Sequence, residues 1–211
     1  MDEQATVVAR YVSSAPAISD SEIWDPSAPV SIQHIWSGEP APTERHASVR
    51  LCWSPEGLHA RFVCEQHEPL VIARAPLTDK KTLGLWDRDV CEIFLAPDAD
   101  EPSKYYEFEA APTGEWVDLA ITMTPTGRRT EWDYSSGMKT TSSVMSDQVV
   151  VGITIPWSQR IQEPRAGDMW RVNLFRCVGP DPSDRYLAWI PTRTEEPNFH
   201  VPEAFGSLLF A

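Results

Sequence analysis

Leu83-Gly-Leu-Trp-Asp-Arg-Asp-Val-Cys-Glu-Ile-Phe-Leu-Ala-Pro97, followed closely by Tyr105-Tyr-Glu-Phe-Glu-Ala-Ala-Pro-Thr-Gly114, is the stretch whose reading decides the fold. From Val90 onward the residues alternate with the two-residue period of a strand. Val90, Glu92 and Phe94 fall on one face, and Cys91, Ile93 and Leu95 on the other. Pro97 and the acidic run Asp98 to Pro102 break that strand. A second strand, Tyr105 to Ala110, sets Tyr106, Phe108 and Ala110 against Glu107 and Glu109. The pair reads as a hairpin with acids projecting from one surface and Trp86 at its mouth.

Working outward, His46 to Trp53 and Leu58 to Glu65 form a second hairpin. The linker Ser54-Pro-Glu-Gly57 supplies Pro and Gly where a tight turn needs a fixed and a permissive φ, and Val49, Leu51 and Trp53 make the inward row. Thr6 to Val12 predicts an edge strand, and Val30 to Trp36 a further strand. Downstream, Glu115 to Met123, the β-branched Val149 to Ile155, Trp170 to Val178, Tyr186 to Ile190 and Ser207 to Phe210 all read as strands. In Trp170 to Val178 the apolar row Trp170, Val172 and Leu174 is interrupted by Arg176. Arg128 to Tyr134 is ambiguous, and only Ser158 to Ile161 suggests a helical turn. Roughly a dozen short strands separated by Gly and Pro turns predict an all-β fold, an antiparallel, jelly-roll-like β-sandwich with minimal helix.

With 211 residues, 42% hydrophobic and 23% charged, the chain has the size of one domain spanning residues 1–211 around a single core. A net charge of −13 argues against nucleic acid or an anionic membrane as partner, because phosphate binding needs clustered Lys and Arg. A neutral or cationic ligand is expected. No window approaches the ~20 apolar residues of a membrane span. The opening Met1-Asp-Glu-Gln-Ala-Thr lacks a secretory pattern, so the chain as written reads as cytoplasmic; an extracytoplasmic protein would need a start lying upstream. Cys52, Cys64, Cys91 and Cys177 sit in apolar strand patterns without a C-x-x-C pair and are expected as buried free thiols.

Trp86, Asp89, Glu92-Ile-Phe-Leu95, Tyr106-Glu-Phe-Glu109 and Pro112-Thr-Gly114 together resemble the central motif of the family 9 carbohydrate-binding modules. The likeness extends to Ile18-Ser-Asp-Ser-Glu-Ile-Trp24, Ala47 to Trp53 with Glu56-Gly-Leu58, Ile155-Pro-Trp157, Gly167 to Asn173, and Trp189 with Phe205-Gly-Ser-Leu208. The resemblance implies non-catalytic binding of a mono- or oligosaccharide or a polysaccharide such as xylan. It implies a sugar sandwiched between Trp86 and Trp189, with Glu92 accepting from hydroxyls. Where the family has a binding-face Arg this chain has Glu109; Asn173 stands for a binding-face amide; and Arg176 stands where an acid would follow. That exchange either keeps a Glu/Arg pair that reads the sugar, or leaves Glu109 and Arg176 pairing across the sheet surface. Most of the nine Trp residues, Trp53, Trp116, Trp157 and Trp170 among them, are expected in the core.

Other chemistries have less to stand on. Asp87, Asp89 and the Asp98 to Glu101 run offer oxygen ligands for a structural Ca²⁺ of the kind found among related modules, yet without EF-hand spacing, and a solvated acidic loop explains them better. Glu107 and Glu109, two apart on one strand face and so roughly 7 Å apart, fall within glycosidase carboxylate separations, but any E-x-E strand does. No G-x-S-x-G, H-E-x-x-H or phosphate-binding Gly-rich loop occurs. Haem-binding relatives use Met and His ligands, for which Met138, Met145, Met169, His67 and His200 are available without any further signal. Against sugar binding stands a structural or interaction sandwich that has lost its pocket, with an enzyme acting on glycans as a third reading.

Overall fold

The structure, a computed structural model, describes residues 5–211. Among these residues the only α-helix is Ser21–Trp24, capped by the Asp20 carboxylate accepting from the Ile23 N–H, and the rest of the regular structure is strand with three short 3-10 turns. The chain is an all-β, predominantly antiparallel sandwich.

One layer is built from β1 (Thr6–Tyr11), β4 (Ala47–Ser54), β5 (Gly57–Glu65), β10 (Lys139–Val144) and β11 (Gln148–Ile155), in the order β10-β11-β5-β4-β1, with the short β2 (Val30–Ile32) also on β4. The other contains β6 (Val90–Ala96), β7 (Lys104–Ala110), β8 (Trp116–Thr124), β9 (Gly127–Glu131), β12 (Met169–Cys177) and β14 (Gly206–Phe210), in the order β14-β12-β6-β7-β8-β9. The short β13 (Tyr186–Ala188) pairs with β12 and with β3 (His34–Ile35). The two layers join through β1, which lies parallel to both β4 and β14.

Alternation along each strand explains the packing. Val49, Leu51, Leu58, Ala60, Phe62, Val151 and Ile153 from one layer meet Cys91, Ile93, Leu95, Phe108, Val172 and Leu174 from the other in one dry cluster. Each fully buried Leu, Ile, Val or Phe contributes about 1.5–3 kcal/mol relative to exposure. The opposite face of β6, β7, β8 and β12 is not left to solvent. Val90, Phe94, Tyr105, Val117, Leu119, Ile121 and Phe175 form a second cluster, covered by Phe199 and Phe205 from the segment between β13 and β14. Phe199 stacks on Phe175 with ring centroids 3.9 Å apart.

Two expectations change, and one strand goes beyond them. The first strand is not at an edge: β1 is the joint between the layers, flanked on both sides, because its buried Val7 and Ala9 complete the inner core. Ser158 to Ile161 is not helical, since the Ser158 hydroxyl accepts the N–H groups of Arg160 and Ile161 in a local turn that competes with helix. The outermost strand of the first layer, β10, is a mostly exposed Lys-Thr-Thr-Ser-Ser-Val run whose pairing with β11 no apolar alternation announces. The Ser54 to Gly57 turn is as expected, with Ser54 opposite Gly57. A Cβ at Gly57 would lie 2.3 Å from the Ile155 carbonyl oxygen, which excludes any other residue there without backbone movement. All four cysteines are buried and free, Cys64 and Cys91 facing each other between the layers with sulfurs 3.6 Å apart.

Candidate functional site

On the outer face of the second layer, register decides which side chains meet. Glu92 on β6 lies opposite Glu109 on β7, and Phe94 opposite Glu107. Residues paired across antiparallel strands share a face, so three carboxyls converge on one patch, and one ligand oxygen from each lies within 4.8 Å of the others. Like charges placed directly opposite repel, and here all three groups are buried as well.

A cavity of roughly 290 Å³ stands over this floor. Trp86, from the 3-10 turn Leu85–Asp87, and Trp132, from the loop after β9, make one wall with ring centroids 6.5 Å apart. Tyr186, Phe199 and His200 make the other, and Arg128 and Thr130 on β9 line the rim. Trp132 is 48% exposed, an unusual state for a large aromatic residue and the sign of a wall open to solvent.

The polar accounting of the floor is incomplete. Both carboxyl oxygens of Glu109 and Oε2 of Glu107 are buried and reached by no donor other than a proton shared between the Glu107 and Glu109 carboxyls themselves. Glu92 Oε1 accepts from the Cys177 thiol at 3.2 Å. His200 Nε2 comes within 3.9 Å of Glu107 Oε2, but burial, reinforced by Arg128, lowers the His200 pKa to about 3, so this contact joins a neutral imidazole to a carboxyl and is no ion pair. The other ring nitrogen meets the Tyr105 hydroxyl at 2.8 Å. Burial, then the neighbouring Glu107, pushes the Glu92 carboxyl up to about 8. Burial likewise raises Glu107, and burial with the charges of Glu92 and Glu107 raises Glu109 well above the usual carboxylate range. Burial and mutual repulsion therefore favour the neutral form of these carboxyls as long as no cation lies against them, and a protonated carboxyl can donate as well as accept.

Of the six residues singled out in the sequence, the structure brings Trp86, Glu92 and Glu109 to this cavity and leaves three outside its lining. Trp189 packs half-buried against the inner core and over Gly206, its N–H donating to the Leu174 carbonyl. Asn173 is on the outer face, but its side chain is fully used: Oδ1 accepts from the Leu174 and Ile190 N–H groups, and Nδ2 donates to the Ile190 carbonyl. Arg176 faces inward with Val172 and Leu174, where its guanidinium donates to the carbonyls of Arg45, His46 and Glu65 and to the Gln66 side chain. Neither a Glu109–Arg176 ion pair on the sheet surface nor a shared sugar contact is possible from opposite faces. The position of Arg176 in the alternation already placed it inside.

The acids considered for calcium do not converge. The Asp89 carboxylate accepts the N–H groups of Val71 and Gly179, Glu101 pairs with Lys104, and Asp98 caps the Asp100 N–H. The Asp89 oxygens are taken up by the fold, Asp98, Asp100 and Glu101 are exposed, and none of these acids belongs to a group with metal-ligand spacing. Among the described residues, the group with metal-ligand spacing is instead Glu92, Glu107 and Glu109. Trp132, Tyr186, Phe199 and His200 are cavity residues that the strand pattern did not select. Glu107 was legible as a partner of Glu109 through its E-x-E spacing; the loop residues carried no local signal.

An all-β sandwich with an aromatic-walled, polar-floored cavity on one sheet face is the architecture of a small-ligand binding module. A family model described as carbohydrate-binding family 9 matches residues 62–210, and the chain belongs to that family. Among solved structures it is similar to a putative carbohydrate-binding protein from Bacteroides uniformis, with a TM-score of 0.74, 18% identity, and coverage of 99% of this chain and 100% of that one. It is also similar to a family 9 carbohydrate-binding module from Caldicellulosiruptor kristjanssonii in complex with glucose: TM-score 0.69, 16% identity, 98% and 96% coverage. A family 9 module from the same organism in complex with cellotriose gives 0.64, 18%, 98% and 93%. The sugars named in these complexes are glucose and cellotriose, not xylan. No curated protein matches the chain.

Proposed function

We propose that this protein binds a saccharide, without catalysing its conversion, in the cavity between Trp86 and the Tyr186–Phe199–His200 wall. The observation that carries the reading is the cavity itself: roughly 290 Å³ of space, walled by aromatic rings and floored by three carboxyls with unused hydrogen-bonding capacity. Sugar recognition combines flat apolar surfaces for the CH face of a pyranose with fixed polar groups for its hydroxyls. Trp86 offers the stacking face and Trp132 extends it. Glu92, Glu107 and Glu109 read the hydroxyls, and protonated carboxyls suit that task because a hydroxyl both donates and accepts. Glucose and cellotriose are the first ligands to try, since the family 9 modules of similar fold hold them.

Titration calorimetry with glucose and cellotriose against the wild-type protein and Trp86→Ala tests the proposal. Heat of binding in the wild type, lost in a folded Trp86→Ala, is the expected result. Absence of binding to any saccharide would leave a structural sandwich of the family that does not use its cavity.

A further inference from the structure

The cavity floor asks for more than hydroxyl groups. We propose that the preferred ligand is a sugar bearing a free ammonium group, an amino sugar, seated with its nitrogen over Glu92, Glu107 and Glu109; the inference rests on the sugar-binding reading above and narrows it.

Three geometric facts lead there. The floor gathers three carboxyls, one oxygen of each within 4.8 Å of the others, and both oxygens of Glu109, which lines the cavity, are buried and receive no donor from outside the cluster. Among the described residues no Lys or Arg forms an ion pair with them, and Arg128 and Arg185 act on Glu107 and Glu92 only from a distance. Arg128, the guanidinium on the cavity lining, is exposed and pairs with no acid among the described residues. Arg185 is spent on the Asp87 and Arg88 carbonyls and lies over the Tyr186 ring, and Arg176 is on the other face of the sheet. His200, the remaining basic group at the floor, is neutral. The walls, finally, are the faces of Trp86, Trp132, Tyr186 and Phe199.

The ligand choices then separate by number and size. An ammonium has three N–H donors and no acceptor, which matches three converging acceptors in count and supplies the missing charge. Aromatic faces attract such a cation further. A neutral sugar fills the cavity but brings no charge to the floor. A bare divalent ion satisfies the floor but leaves the aromatic walls and most of the volume unused. A pyranose carrying one amine uses both, and the protein's charge of −13 favours its approach.

The experiment is a three-way calorimetric comparison, at about neutral pH and low salt, of glucosamine, glucose and N-acetylglucosamine with the intact chain. Because acetylation removes the charge while keeping the ring, glucosamine should bind at least about tenfold more tightly than either of the others. Glu109→Gln should bring glucosamine down to the level of glucose, and added salt should weaken glucosamine alone. Equal or tighter binding of glucose overturns the ammonium assignment and leaves sugar binding standing. Mn²⁺ that binds in a Glu109-dependent manner, with no preference among the sugars, overturns it in favour of a metal floor. Failure of all three sugars removes both readings. The wild-type comparison does not depend on any variant folding.

Discussion

Trp86 and Trp53 have the same side chain in opposite circumstances. Trp53 is 6% exposed, packed against Phe210 and inside the main core, whereas Trp86 is half-buried at a cavity wall. Trp86→Ala is expected to remove sugar binding, a loss on the order of 2 kcal/mol or more, while the melting temperature changes little. Trp53→Ala should cost roughly 3–5 kcal/mol of stability in a denaturant titration. If Trp86→Ala unfolds the chain as severely as Trp53→Ala, Trp86 is a core residue and the cavity is not its purpose. Arg176 supports a different expectation. Its buried guanidinium satisfies three backbone carbonyls and Gln66 at once, so Arg176→Ala leaves several acceptors orphaned, at roughly 3 kcal/mol or more by denaturant titration. A mild effect on stability together with loss of sugar binding would place Arg176 in the ligand site instead.

At the scale of the element, the β6–β7 hairpin carries its own pH dependence. The folded-state pKa of Glu92, about 8, lies above the value near 4.5 at which a free Glu titrates, and Glu107 and Glu109 move in the same direction. The folded protein therefore retains protons that the unfolded chain has released. The stability these groups contribute is complete below about pH 4.5 and is lost as pH rises through the folded values. His200 has the opposite sign: with its pKa lowered to about 3, its contribution is complete above its ordinary 6.5 and declines below that. Melting temperature should accordingly fall as pH rises from about 6.5 to 9, where the contribution of His200 no longer changes. Glu109→Gln should flatten that fall by removing one of the three acids, and an unchanged slope in the variant, read by calorimetry across the same range, would show that the floor does not titrate there.

For the whole molecule, the inner core draws on both layers and on β1 between them, so neither layer can bury its inner apolar face alone. One cooperative thermal transition is expected, with calorimetric and van't Hoff enthalpies in agreement; two separated transitions would divide the chain into independently folding parts. The charge of −13 gives the second expectation at this scale: no retention on heparin or DNA even at low salt, because no cluster of basic residues is present to release counterions.

The amino-acid sequence by itself determined the strands, their faces and the sandwich class, because a period of two is a local property that burial on one face enforces residue by residue. It also placed Glu92, Glu107 and Glu109 on faces of neighbouring strands, and it held the inward position of Arg176 in its alternation with Val172 and Leu174. Several features were decided only by the tertiary structure. The position of β1 between the layers depends on parallel pairing with β4 and β14, partners more than forty residues away in sequence. The exposed β10 has no hydrophobic pattern to declare it and exists through its hydrogen bonds to β11. The cavity walls come from loops, Trp132 after β9 and Phe199-His200 before β14, whose sequences have no period and whose places are set by what they cover. For the same reason Trp189, adjacent to a strand and similar in motif to a ligand-stacking residue, turned to the core instead of the cavity: a side chain next to an apolar layer goes where its area is buried.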